Sequence, residues 1–266
     1  MAFLRPNPLH LAPLLFCLLA SLPAFAHAGI APTPAEQRVV DLANRDRAAA
    51  GLQPLAWDSS LAAAARLHSE RMAQEGPIAH RYGGEPDLAE RAGSAGAHFS
   101  LIEENIAFGD SPDEIHQGWM ASPGHHANLM NPAIDRIGVS LLPQRGGLYA
   151  TADYAQSVRV LSRGEIESQI SAKLHAAGIG LAIDSASVAY ARAACAMDSG
   201  SPRDAPPAMR SHFLMRWQSS SLNALPEMLT QRLHEFQRAV VGACPAQSDG
   251  SEQAAFTSYR VAVLLF

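Results

Sequence analysis

Trp119-Met120-Ala121-Ser122-Pro123-Gly124-His125-His126-Ala127-Asn128-Leu129-Met130-Asn131-Pro132 packs a turn, a helix start and two adjacent histidines into one stretch. Ser122 suits an N-cap, and Pro123 suits the first helical position, where no backbone N–H is needed. His125 then falls in the first turn, beside the positive end of the helix, which disfavours imidazolium. A neutral imidazole is the form that binds a metal or takes a proton. A polar surface loop with two chance histidines is the competing reading. What decides between them is whether the rest of the chain supplies partners.

The 266 residues suffice for one large domain or two modest ones. Hydrophobic residues make up 48% and charged residues 17%, which allows a packed core and argues against disorder. The formal net charge of −5 and the lack of a long basic run make nucleic acid an unexpected partner. Residues 1–28 have the pattern of a secretory signal: Arg5, an apolar run from Leu9 to Ala26, then Ala26-His27-Ala28 as a small-x-small cleavage site. The run is short for a membrane-spanning helix, and the bulky Phe16 before Cys17 argues against a lipoprotein site. A secreted or periplasmic location follows, with no integral membrane segment after cleavage. Cys195 and Cys244 alone lie beyond the signal. In an oxidising compartment they most simply form one disulfide.

Thr33 as N-cap, Pro34 at the first helical position and Glu36 three residues after the cap predict a helix to Ala50, stopped by Gly51. Asp58 caps a second helix to about Gln74, with Leu61, Ala64, Ala65, Leu67 and Met72 inward. His68 on this helix reads as a core or boundary histidine. Residues Gly76 to His98 read as a long loop with a short helix at Pro86 to Arg91. A loop of that length inside a compact domain is usually functional. Pro112 to Met120 is a third main helix. Ile137 to Leu142 and Leu148 to Tyr154 are strands around Arg145-Gly146-Gly147, a hairpin signal. Beyond Ser157, helices are expected at Glu165 to Ala177, from Asp184 to Met197 and from Pro226 to Val241. A loop is expected at Ser199 to Pro207, and a closing strand at Ser258 to Phe266.

A weak internal echo links the two parts. Ala49-Ala50-Gly51-Leu52 through Trp57-Asp58 resembles Ala176-Ala177-Gly178-Ile179 through Ile183-Asp184. Both are helix, Gly stop, short connector, Asp cap, helix. The hypothesis is a degenerate second copy of the first fold; the alternative is an unrelated α+β appendage.

The first part carries a set of motifs in order: Asn44 and Arg47 at the first helix end, Leu52-x-Pro54-Leu55-x-Trp57, Ala65-x-x-His68-x-x-x-Met72, His80, Glu104-Asn105-Ile106-Ala107, Trp119-x-x-Ser122-Pro123-Gly124-His125 and Ile137-Gly138-Val139. With them, residues 36–156 resemble the CAP superfamily (cysteine-rich secretory proteins, antigen 5 and pathogenesis-related 1 proteins, also called SCP-like), in its bacterial branch. The resemblance implies an α+β fold: a three-layer α/β/α sandwich with a largely antiparallel sheet and a central cleft. It implies that His80 and His125 point into that cleft with Glu104 beside them. In some members this histidine pair holds a divalent metal, often zinc. Glu103 stands where the family usually has Gly. Ser122 stands where many eukaryotic members carry a second cleft Glu, and His126 where bacterial relatives usually have Arg. Glu103 is expected as a solvated carboxylate or a helix-start charge, His98 and His116 at the surface or cleft rim, His126 facing solvent, and Trp57 and Trp119 in the core.

The expected organisation is a signal peptide over 1–28, a CAP domain over 33–157 and a C-terminal α+β region over 158–266. The expected function is recognition of a small-molecule, lipid or envelope ligand through a cleft of His80, Glu104, Ser122 and His125. The alternative is metal-assisted hydrolysis, with zinc on His80 and His125 and Glu104 as general base. Neither a His-Glu-x-x-His pair nor a Gly-x-Ser-x-Gly elbow is present to favour catalysis.

Overall fold

The structure, a computed structural model, describes residues 31–197, 211–245 and 256–266. The expected signal segment, Cys17 and the loop expected at Ser199–Pro207 lie outside them.

Local rules set the first elements. Helix α1 (Pro34–Ala49) opens on a capping box in which the Thr33 hydroxyl accepts from the Glu36 N–H and the Glu36 carboxylate accepts from the Thr33 N–H. After the short strand β1 (Ala56–Trp57), Asp58 caps α2 (Ser59–Glu75) by accepting from the Ser60 and Leu61 N–H groups. The short helix in the following loop, α3, spans Leu88–Ser94 rather than Pro86–Arg91. Asp87 and Glu90 form a second capping box that fixes its start. Strand β2 (Phe99–Gly109), α4 (Pro112–Ala121) and α5 (Pro123–Leu129) follow. Strands β3 (Arg136–Gln144) and β4 (Gly147–Ser157) close the unit. Their two-residue turn places Arg145 and Gly146 at φ 56° and 83°, the paired positive values of a tight hairpin. Ser122 does hold the cap position of α5, but its hydroxyl makes no cap bond; Pro123 alone preorganises that helix start.

The sheet order is β1-β3-β4-β2, with β1 parallel to β3 and the other pairs antiparallel. Side chains alternate across β4. Ala150, Ala152 and Tyr154 join a core with Val39 and Ala43 of α1, Trp119 of α4 and Leu129 of α5. Tyr149 and Ala155 pack on the opposite face with residues of α2, where Thr151 also bonds Ser69. Both faces are covered, which is the expected three-layer α/β/α sandwich. Helix α2 crosses β3 so closely that a Cβ on Gly138 would lie 2.1 Å from the Ala62 nitrogen. Any side chain there would force the layers apart.

The second unit comprises α6 (Arg163–Ala176), β5 (Gly180–Leu181), α7 (Ser185–Ala196), β6 (Phe213–Ser219), α8 (Glu227–Thr230), β7 (Arg238–Cys244) and β8 (Tyr259–Leu265). Its strand order is β5-β7-β8-β6, again with only the first pair parallel. Helices α6 and α7 cover opposite faces. The helix-stop glycines recur at Gly51 (φ 74°) and Gly178 (φ 86°). After each, the next N–H returns to the helix, Leu52 to the Arg47 carbonyl and Ile179 to the Leu174 carbonyl. The close helix–strand approach also recurs, since a Cβ on Gly242 would lie 2.2 Å from the Ala191 carbonyl carbon. The topology of the first unit is thus repeated in the second, as the echo between the two Asp-capped helices suggested.

One expected element is different. The helix expected over Pro226–Val241 is a single turn, α8, then a 3-10 turn (Leu233–Glu235), then strand β7. Leu229 and Leu233 are buried as the helical spacing required. Beyond them, Val240 and Val241 face opposite cores, which only an extended chain permits. Cys195 at the end of α7 is disulfide-bonded to Cys244 at the end of β7, with Cα atoms 5.8 Å apart. The two units meet where the Thr257 N–H donates to the Phe99 carbonyl (2.8 Å) and Phe256 stands edge-on to Phe99. No described helix is long and apolar enough to cross a membrane.

Candidate functional site

Strand β2 is the edge of the first sheet, and its Glu-Asn-Ile-Ala segment is held from both sides. Trp119 Nε1 donates to the Ile106 carbonyl (3.0 Å). From α5, Asn128 Nδ2 donates to the Glu104 carbonyl (3.1 Å) and to Asn105 Oδ1 (3.0 Å). Asn105 Nδ2 in turn donates to the His125 carbonyl (2.9 Å). This ladder explains the Trp119–Asn128 stretch: it fixes the helix carrying His125 onto the strand carrying Glu104. Arg47 anchors the far side, its buried guanidinium donating to the carbonyls of Gln53, Leu129 and Asn131.

Glu104 is buried, and both its oxygens are engaged. Oε1 meets His80 Nδ1 at 2.8 Å, and Oε2 accepts from Arg91 Nη2. Behind it, His68 Nδ1 meets Glu85 Oε1 at 2.6 Å, and His68 Nε2 stands 3.9 Å from Glu104 Oε2. Arg91 Nη1 lies 3.6 Å from Glu85 Oε1. Asp153, directly opposite Glu104 in the β2–β4 register, is fully buried. Burial first, then the Glu104 charge, push its carboxyl well above the ordinary carboxylate range, against the pull of Arg91. One guanidinium therefore serves two buried carboxylates beside a third carboxyl that holds its proton to higher pH than an ordinary one.

His80 and His125 titrate in opposite directions. The hydrogen bond to Glu104 raises His80 above the ordinary 6.5, with burial opposing. Burial lowers His125, and the nearby His80 charge lowers it further. The charge of His80 thus reaches His125, the one link between the two rings. His126 is exposed, as expected. Ser122 is half-buried. Glu103 accepts from Asn131 Nδ2 (2.9 Å), so it braces the segment after α5. His116 is not at the rim: it is buried, with Nε2 2.8 Å from Asp46 Oδ2. Glu85, Arg91 and Asp153 are the participants that motif reading missed. Asp153 alone has a sequence signal, as the one charged residue in the run from Tyr149 to Ala155.

Among the described residues, no group of three or more His, Cys, Asp or Glu side chains is arranged to hold a metal ion. The donor set is the two imidazoles. Glu104 occupies the place of a carboxylate that orients a histidine ligand, with its bond to Nδ1 leaving Nε2 of His80 for a metal.

Residues 40–154 match the CAP model, the cysteine-rich secretory protein family. The chain is 37% identical over 108 residues to the uncharacterized protein YkwD of Bacillus subtilis, covering 39% of this chain and 41% of that protein. It is 33% identical over 114 residues to the uncharacterized membrane protein YlbC of the same organism, covering 41% of this chain and 32% of that one. It thus spans less than half the length of either relative. A crystal structure of an SCP-domain extracellular protein from Bacillus anthracis aligns at 28% identity and a TM-score of 0.42, over 48% of this chain and 45% of that one. Sequence motifs, sandwich topology and family match agree that residues 40–154 are a region similar to the CAP, or cysteine-rich secretory protein, family.

Proposed function

We propose that the protein works outside the cytoplasm as a recognition module, binding a small-molecule, lipid or envelope ligand at the His80–His125 cleft. The observation that carries this reading is the state of Glu104. Both oxygens are committed, to His80 and to Arg91, so the carboxylate is placed to orient an imidazole and not to take a proton from water. The general-base role required by the hydrolase alternative would fall to a buried carboxylate already bonded through each oxygen. His80 and His125 would hold a divalent metal, zinc above all, and that metal would supply an electrophilic point for an anionic or carbonyl group of the ligand. His80 is the exposed partner and meets the ligand first; His125 is held by α5 and its ladder to β2.

The test is elemental analysis of zinc after equilibration and dialysis, for the wild type and for His80→Ala/His125→Ala. Zinc retained by the first and absent from the second supports the site; equal zinc in both overturns it. A hydrolase substrate panel on the zinc-loaded protein gives the second arm, where turnover lost with Glu104→Gln would restore the catalytic alternative.

A further inference from the structure

The junction between the two units carries a second, unrelated site. A cavity of about 330 Å³ opens beside the connecting segment; Arg159 and Arg163 line it, with Thr257, whose hydroxyl meets His98 Nδ1, Ser258, whose hydroxyl accepts from Gln218 Nε2 and keeps its own proton to donate, and the apolar Leu161 and Ile166. The two arginines are set apart from the rest. Arg38, Arg45, Arg66, Arg71, Arg91, Arg136, Arg192 and Arg232 all have carboxylate partners. Arg47, Arg81, Arg145, Arg216 and Arg260 donate to carbonyls, and Arg238 lies over the Phe266 ring. Among the described residues, Arg159 and Arg163 alone have a guanidinium with no hydrogen bond, ion pair or ring contact, acting on Glu165 and Glu167 only through space, and both line this one cavity. The nearest acids do not neutralise them. Glu165 is bound into the Ser162 cap, and Glu167 is forked onto Arg192. Arg163 is also the first residue of the 14-residue helix α6, where the helix dipole opposes a cation. Two unpaired cations close in sequence, one at the wrong end of a helix, on a chain of net charge −5, are a local excess that an anion would relieve.

We propose that this junction cavity binds an organic phosphate ester with an aliphatic body. Two guanidiniums and two hydroxyls match the several acceptor oxygens of a phosphate better than the two of a carboxylate. The apolar sides take the aliphatic chain. The ester is either a soluble metabolite-sized molecule or the head of an anionic lipid.

The probe is hexyl phosphate, titrated calorimetrically into the full chain. Saturable binding is expected. It should weaken by about tenfold in Arg159→Gln or Arg163→Gln, the loss of one charge-assisted bond, and vanish in the double variant. Both residues are exposed, so an unchanged melting temperature verifies folding. Hexanol should not bind, and His125→Ala should bind as the wild type does, which separates this site from the cleft. Sedimentation with phosphatidic acid vesicles distinguishes the sources: pelleting lost in the double variant assigns the lipid head, and no pelleting assigns the soluble ester. No saturable binding of hexyl phosphate, equal binding by the double variant, or equal binding of hexanol overturns the proposal.

Discussion

Arg91→Met is the sharpest test of the buried charge cluster. The substitution keeps the aliphatic stem and deletes the guanidinium. In the wild type that group is 2% exposed and faces Glu104, which is 4% exposed, and Glu85, which is 7% exposed. It also donates to the Pro86 carbonyl at 3.2 Å. Removing the cation deletes the one permanent positive charge facing two buried carboxylates, leaving Glu104 with His80 and Glu85 with His68, next to Asp153. Breaking one partner of a buried ion pair costs about 3–5 kcal/mol, because the remaining charge is stranded rather than because the pair was strong. For a unit of this size that corresponds to a fall of roughly 10–20 °C in melting temperature. Urea unfolding followed by tryptophan fluorescence measures it, Trp57 and Trp119 reporting the first unit. Arg66→Met is the control: its pair with Glu70 is exposed, and its loss should cost under about 0.5 kcal/mol. Adding Glu104→Gln to Arg91→Met should recover part of the loss, since the stranded charge is then gone. A cost below about 1 kcal/mol for Arg91→Met would refute the view that this cluster is dry and mutually dependent.

Three further outcomes follow from the same geometry. Proton NMR of the histidine rings should show His80 titrating above 6.5 and His125 below it. Stability from the His80–Glu104 pair is full below 6.5 and is lost as pH rises through the raised value; His80→Gln should remove that slope. Asp153→Asn should stabilise the protein at neutral pH. The folded state keeps a proton there that the unfolded chain releases above about 3.8, so the wild type loses stability as pH rises from that value and the amide does not. Equal melting temperatures for wild type and Asp153→Asn at pH 7 would contradict the upward shift of Asp153. Reduction of Cys195–Cys244, which spans 49 residues, should lower the stability of the second unit by about 4 kcal/mol and leave the first unit's transition in place.

Local chemistry was legible wherever a single residue type has a single use. The caps at Thr33, Asp58 and Asp184, the glycine stops at 51 and 178 and the Arg145-Gly146 turn all stand where the sequence puts them. Strand β7 was not legible, because Leu229, Leu233 and Phe236 do keep helical spacing and the switch to an extended chain at Arg238 is decided by pairing with β8, a distant segment. The candidate site divides the same way. His80, Glu104 and His125 were found through family motifs. Glu85 and Arg91 escaped notice because exposed loops are full of such residues, and only the fold turns these two inward. His116 escaped because its Asp46 partner is 70 residues away in the chain.

The connection between the repeated units is short: β4 ends at Ser157 and α6 begins at Arg163. A tether of that length holds its two ends at an effective concentration of about a millimolar or more. The contacts at Phe99, Phe256 and Thr257 therefore need only millimolar intrinsic affinity to keep the units docked. A proteolytic cut between Val158 and Leu161 would remove the tether and leave the interface to its own intrinsic affinity, which size-exclusion chromatography of the nicked chain would read.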